Sequence, residues 1–391
     1  MLILACHLIL EKKQHQFRSQ MSLEGRQRRQ RGFNRGVSLD PKASAWQKLC
    51  SSGDDPSLIT VTGLDHNAFQ MLLEKHQVNY SAYTPWTGDH DGSTHRRLNY
   101  MVGKGRGRPR IIDAAASLGL VLAWHRFRGA EFILQGWFGF THTHNNVWLR
   151  FGRRMLWKTL KTIPQAQVEM PTEEKIQQMK DICHNKHSML PDVHCFADGL
   201  KLMLEQAGEE EIQGMYYNSW THDHYITNVF VFGIDGRIIC CVVDAPGSLH
   251  DSTPAEWGGI HTKLEEVFNR TGGICCVDSA FAADGAGHLI KSAQDTTKAT
   301  SAEDLLRMSQ ATSLRQAAEW GMRAMQSSMP RLKDRFPHEP EPKAVKERGL
   351  TLRLVPHAHN FRLEHVGLNQ IRNTHIASWS KDADCCICNQ N

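Results

Sequence analysis

Four acidic residues stand in settings that could do metal chemistry. Asp198 closes the run Val193-His194-Cys195-Phe196-Ala197-Asp198-Gly199, and Asp251 lies in Pro246-Gly247-Ser248-Leu249-His250-Asp251-Ser252. Asp278 ends Ile274-Cys275-Cys276-Val277-Asp278, and Glu319 sits in Leu314-Arg315-Gln316-Ala317-Ala318-Glu319-Trp320-Gly321. A strand that stops at Asp aims a carboxylate out of the edge of a sheet. Several such groups brought together repel one another unless a divalent cation sits between them. Convergent acids of this kind are the equipment for phosphodiester cleavage by paired metal ions. For any single acid the plain reading is a turn or helix-capping carboxylate. Asp244, at the end of its strand, reads as structural.

The elements that must position these acids follow from pattern. From about residue 193 the chain turns from helical to strand-like. A strand is expected over 195–198. Two β-rich runs, 225–232 and 238–243, flank Gly233-Ile234-Asp235-Gly236-Arg237, a strong hairpin signal. Residues 252–270 read as one helix, capped by Ser252 or Thr253 with Pro254 in its first turn. Gly272-Gly273 ends it before a strand over 274–278. One or two helices over 302–329 carry Glu319.

Upstream, the chain is basic and then helical. Arg26-Gln27-Arg28-Arg29-Gln30-Arg31-Gly32-Phe33-Asn34-Arg35 holds five arginines in ten positions, as a solvated tail or a nuclear-import or phosphate-seeking arm would. Helices are expected over 44–50, over 64–76 behind Asp65, and over 111–124, where Ile111, Ile112, Ala115, Leu118 and Leu122 share a face. Between the last two, Gly105-Arg106-Gly107-Arg108-Pro109 resembles a minor-groove finger, with Arg106 and Arg108 as its candidate contacts; the alternative is a flexible basic loop. Residues 131–138, the turn Gly139-Phe140 and a Thr-opened helix from 141 spell a helix-turn-helix over about 131–158. Arg150, Arg153, Arg154 and Lys158 line its second helix and are expected to face DNA. A helical hairpin packed on the core is the competing reading.

Composition sets limits on the alternatives. Hydrophobic content of 40% with 22% charge is ordinary for a globular protein, and 391 residues suffice for two or three domains. The formal net charge of +5 is unevenly placed. Cys240-Cys241 and Cys275-Cys276 lie in apolar runs and read as small buried hydrophobes in a reduced compartment. No stretch reaches the roughly 20 apolar residues of a membrane span. The apolar start Met1-Leu2-Ile3-Leu4 lacks a basic leader and is not expected to be a signal peptide; Met21 is an alternative start. The histidines of Thr141-His142-Thr143-His144 and Trp220-Thr221-His222-Asp223-His224, and the tail Cys385-Cys386-Ile387-Cys388, lack a four-ligand zinc pattern and are read as unmetallated.

The order strand, hairpin, helix, strand, helix is similar to that of the RNase H-like fold. Asp198-Gly199, the Pro-Gly-Ser-x-His-Asp-Ser stretch, Val277-Asp278-Ser279-Ala280-Phe281, Arg315-x-x-x-Glu319-Trp320, Arg331-Leu332-Lys333-Asp334-Arg335-Phe336 and Gly367-Leu368-Asn369-Gln370-Ile371 together resemble PIF/Harbinger-type DDE endonucleases over residues 44–375. The resemblance implies an α/β chain: an RNase H-like mixed sheet flanked by helices, preceded by a helical domain. The expected division is a basic tail over 1–43, a helical domain over 44–185, a nuclease domain over 190–375 and a flexible tail over 376–391. It further implies two Mg²⁺ or Mn²⁺ ions held among Asp198, Asp251, Asp278 and Glu319. Fold order selects Asp198, Asp278 and Glu319, whereas motif spacing pairs Asp198 with Asp251, so the second acid stays open between Asp251 and Asp278. Lys291, Arg315, Lys333 and Arg335 are candidate phosphate contacts. Where the family has Asp-Ser-Gly-Tyr, this chain has Asp278-Ser279-Ala280-Phe281, which keeps the acid and changes the turn. The implied setting is nuclear, with DNA as substrate, a Myb-like partner protein and a homo-oligomer as candidate associations, and no membrane. A domesticated DNA-binding or interaction protein without nuclease activity is the alternative.

Overall fold

A computed structural model describes residues 40–85, 110–278, 281, 287–292, 301–337, 342–367 and 369–375. The basic tail through residue 39, the Arg106 and Arg108 loop, Ser279 and Ala280 of the departing turn, and the cysteines of the C-terminal tail lie outside the described residues.

The N-terminal part is helical because its apolar residues recur at helical spacing behind side-chain caps. Helices α1 (Ala45–Ser52), α2 (Asp55–Thr62), α3 (His66–Ala82) and α4 (Ala114–Arg126) open on Ser44, Asp54, Asp65 and Asp113, each accepting from a backbone N–H of its own first turn. Then come α5 (Phe132–Phe138), α6 (His142–Leu160) and α7 (Glu173–Lys186). Gly139, at φ 72, turns the chain between α5 and α6. Trp46, Leu118, Leu120, Trp148 and Phe151 are fully buried in one core.

The second part is built on a mixed sheet. Its strands are β1 (Val193–Met203), β2 (Tyr217–Asn218), β3 (Asp223–Gly233), β4 (Ile238–Pro246), β5 (Ile274–Val277) and β6 (Leu289–Lys291). β1 pairs antiparallel with β3 and parallel with β5, β3 pairs antiparallel with β4 and β2, and β5 pairs parallel with β6. A long antiparallel hairpin joined to parallel strands is the RNase H-like arrangement. The Asp235-Gly236 turn closes the β3–β4 hairpin as its residues require, with Gly236 at φ 83.

Helices cover both faces. α8 (Glu210–Tyr216) precedes β2, and α9 (Ser252–Trp257) and α10 (Ile260–Thr271) follow β4. α11 (Ala302–Ser328), α12 (Pro342–Val366) and α13 (Gln370–His375) end the described chain. Strand alternation sorts the core. Cys195, Ala197, Cys240, Cys275 and Val277 pack with α9 and α10, whereas Phe196, Leu202, Cys241 and Cys276 pack with α7, α11 and α12. The paired cysteines thus divide between the two faces. Those described are free thiols, and burial raises Cys241 to about 12.

Three expectations are corrected. The helix expected over 252–270 is two helices. Gly259 takes φ 68, and a Cβ on Gly258 would lie 1.9 Å from Val242 Cγ2, so the Gly-Gly pair breaks the helix where it crosses closest to β4. The first strand does not stop at Asp198: pairing with β3 continues to Met203, opposite Tyr225. Finally, Pro342–Val366 forms a helix, α12, where no element was expected. It contributes Leu354 and Phe361 to the helical core and Leu352 and Val355 to the sheet core. Among the described residues no helix is long and apolar enough to cross a membrane.

Candidate active site

Asp198 sits in the middle of β1, where the sheet narrows. β5 follows β1 only as far as the Ala197–Val277 pair, so beyond it β1 keeps a partner on the β3 side alone. Asp198 and Asp278 are the next residues of the two strands, side by side where pairing ends. Alternation places them on the same face, one pleat beyond Phe196 and Cys276, and toward α11. Along α11, Ala311, Arg315 and Glu319 recur every fourth residue and line one stripe. The Ala311 carbonyl accepts from Cys276 Sγ at 3.5 Å. One turn on, Arg315 reaches Asp198 Oδ2 at 3.8 Å and Glu319 at 3.3 Å, and Arg323 flanks Glu319 at 3.6 Å.

Asp251 approaches from the opposite face. A Cβ on Gly199 would fall 2.1 Å from Asp251 Oδ2, so the carboxylate fills the space that any other side chain would need. Only glycine fits there, which gives the Asp198-Gly199 pair a physical reason. Asp251 Oδ1 is buried and has no hydrogen-bond partner among the described residues. Lys201, on the same face as Gly199, favours its ionised form.

Burial is the first cause of strain on these acids. Asp198 is raised to about 6, chiefly by burial and also by Asp278 and Asp251, against the opposing pull of the Gly199 N–H at 2.8 Å and of Arg315. Asp251 is also raised, by burial and by Asp278, against the pull of Lys201. Among the described residues no three His, Cys, Asp or Glu side chains form a ready-made metal cage. The donor set still fits a hard divalent cation. Asp198, Asp278 and Glu319 offer carboxylate oxygens on one face, and Mg²⁺ is typically held by one or two carboxylates together with waters and substrate phosphates.

Residues 197–347 match the family model of the DDE superfamily endonucleases. That segment is similar to a DDE superfamily endonuclease domain. It holds Asp198, Asp251, Asp278 and Glu319 and stops at Glu347, early in α12. No curated protein and no solved structure matches the chain.

The basic residues sort less simply. Arg153 is buried; it donates to Thr351 Oγ1 at 2.9 Å, pairs with Glu347 at 3.2 Å, and its guanidinium lies 4.8 Å from the Trp124 ring. Arg154 pairs with the other Glu347 oxygen at 2.6 Å. Arg335 is engaged by both oxygens of Asp223, at 2.6 and 2.8 Å. Arg150, Lys158 and Lys333 are exposed, Lys158 lying 4.8 Å from the Tyr83 ring. Lys291 stands on β6 opposite Val277, at the sheet edge that carries Asp278.

Sequence reading missed Lys201, although its place two residues from Gly199 in a strand was a usable signal. Asp244 is structural, as read: at φ 67 it accepts from Arg348 Nε at 2.6 Å, and Arg348 in turn donates to the Tyr216 hydroxyl.

Proposed function

We propose that this chain is a divalent-metal-dependent DNA endonuclease of transposon origin and PIF/Harbinger type. In this reading Asp198, Asp278 and Glu319 are the metal-holding acids. The observation that carries it is their shared face: the middle of β1, the adjacent end of β5 and one helix stripe converge on a single side of the sheet. Asp251, pressed on Gly199 from the other side, is a positioning acid that fixes the backbone of β1 beside Asp198. When bound, two Mg²⁺ or Mn²⁺ ions would supply charge neutralisation for an attacking hydroxyl and for the leaving oxygen of a phosphodiester.

The residues of the chain do the remainder. Asp198 must be deprotonated to act as a ligand, and burial, which raises its pKa in the metal-free protein, makes metal binding weaken as the pH falls. Lys201 opposes the upward shift that burial imposes on Asp251. Lys291 at the sheet edge and Lys333 on the turn after α11 are the candidates for phosphate contact, with Arg150 and Lys158 for DNA further from the site. Arg335, being paired with Asp223, would contact phosphate only through its remaining donors. A nuclear setting, a Myb-like partner and self-association belong to the same reading.

The test is cleavage by full-length Asp198→Asn, Asp278→Asn and Glu319→Gln proteins that retain the parent's circular dichroism. Each is expected to lose about three orders of magnitude or more, since each removes an interaction worth several kcal/mol in the transition state. Asp251→Asn is expected to lose less, roughly 10²-fold, as positioning defects do. Parental cleavage by all three ligand variants would refute the assignment.

A further inference from the structure

Arg315 touches two of the candidate ligands at once. Its guanidinium lies 3.3 Å from Glu319 and 3.8 Å from Asp198 Oδ2, and its side chain is one-quarter exposed. A guanidinium cannot lose its proton in a protein and carries donors only, so here it acts as a fixed positive charge. Both contacts are longer than the 2.7–2.9 Å or so of a strong charge-assisted hydrogen bond. Compare Arg335, which clasps Asp223 at 2.6 and 2.8 Å, or Arg154, at 2.6 Å from Glu347. Arg315 is therefore held by charge and not locked by geometry. Arg323 also meets Glu319, but it is three-quarters exposed and reaches no second acid.

A divalent ion shared by Asp198 and Glu319 would need oxygens at about 2.0–2.1 Å from itself, which leaves no room for a guanidinium between them. It would also repel that guanidinium at close range. We propose that Arg315 is an internal substitute for the metal: it holds Asp198 and Glu319 together and neutralises them until a divalent cation displaces it. The inference rests on the nuclease reading above and adds a positioning residue to it. Arg315 keeps the acids assembled at the cost of competing with the ions they are meant to bind. The one-turn offset between Arg315 and Glu319 on α11 makes the exchange possible without moving the helix, because a long side chain swings aside while the helix backbone stays in place.

The experiment is Mn²⁺ binding, measured by calorimetry on chelator-stripped full-length protein, for the parent, Arg315→Gln and Arg315→Lys. Removing the competitor should tighten Mn²⁺ binding by Arg315→Gln about tenfold or more, with Arg315→Lys in between because a point charge serves one acid and not two. Without divalent ions Arg315→Gln should melt below the parent, and saturating Mn²⁺ should close that gap. A parent that binds no measurable Mn²⁺ beside an Arg315→Gln protein that does would also support the proposal. If the parent binds Mn²⁺ and neither variant binds it more tightly, the proposal fails and the nuclease reading stands. If neither the parent nor Arg315→Gln binds Mn²⁺, the metal-site reading fails and the proposal with it. Should Arg315→Gln not fold, Arg315→Lys decides alone: an affinity equal to the parent's overturns the proposal.

Discussion

Two of the buried clusters of charge among the described residues are built on opposite terms. Where α6 meets α12, Glu347 is shared by Arg153 and Arg154, and Thr351 takes a further donor of Arg153. Where the sheet meets α11, Asp198, Asp278 and Asp251 press on one another. Arg315 stands at a loose 3.8 Å from one of them, and an oxygen of Asp251 is left without a hydrogen bond. Charge buried to hold a structure is paired with opposite charge, because an unpaired ion in a low dielectric is costly. Arg153 Nε has no hydrogen bond among the described residues, but both guanidiniums are paired with Glu347. Charge buried to do chemistry is left short of partners, because its missing partner is the ligand. In the proposed reading, the excess of acid over base in the second cluster is what a bound cation would offset.

The comparison is broken most directly at Glu347. Replacing it with Ala strands two guanidiniums, one of them so buried that its pKa falls to about 10. Losing one member of a buried pair typically costs about 3–5 kcal/mol. Urea denaturation of Glu347→Ala should show a loss of that order and little dependence on salt. A change below about 1 kcal/mol, the usual worth of a surface pair, would mean that the cluster is not matched in the sense argued here.

The opposite sign is expected at Asp198. Its folded-state value of about 6 lies above its ordinary 3.8. Its carboxyl therefore favours the fold fully below about pH 4, and that contribution is lost as the pH rises through about 6. Above that pH the ionised group is a burden of about 3 kcal/mol at most, from two units at roughly 1.4 kcal/mol each. Asp198→Asn should therefore be more stable than the parent at pH 7.5 without divalent ions, by about 1–2 kcal/mol. The gain should vanish near pH 4. A variant that is less stable at pH 7.5 would show that the acid is matched after all.

These two clusters also separate what was legible in the sequence from what was not. Asp198, Asp251 and Asp278 could be read because each stands next to a local signal: a strand, a Gly-containing loop or a Gly-Gly break. The sheet order followed from the hairpin turn at Asp235-Gly236 and from apolar runs of strand length. The face each acid takes was not legible. It depends on where β5 stops pairing with β1, and the apolar run 274–277 alone does not fix that register. The role of Arg153 was equally hidden. Positions 150, 153, 154 and 158 make a basic stripe at helical spacing, but the partner that turns two of them inward is Glu347, nearly two hundred residues away. Local periodicity reports that a face exists and not whether a distant helix will cover it.

The smallest expected effect follows from that stripe and is the sharpest check on it. Arg150 is exposed, whereas Arg153 and Arg154 spend their charge on Glu347. If α6 meets DNA through its exposed side, Arg150→Gln should weaken binding modestly and flatten the dependence of log K on log salt by about 0.9, the release accompanying one phosphate contact. Arg153→Gln should leave that slope where it is and lower the melting temperature instead, because it removes a hydrogen bond to Thr351 and a charge from Glu347. Fluorescence anisotropy across a salt series, read beside thermal melts of the same proteins, separates the two. If Arg153→Gln flattens the slope as much as Arg150→Gln does and melts like the parent, the arginine swings out to DNA and the α6–α12 cluster is not a fixed support. If neither changes the slope, α6 is buried scaffold and the helix-turn-helix reading falls with it.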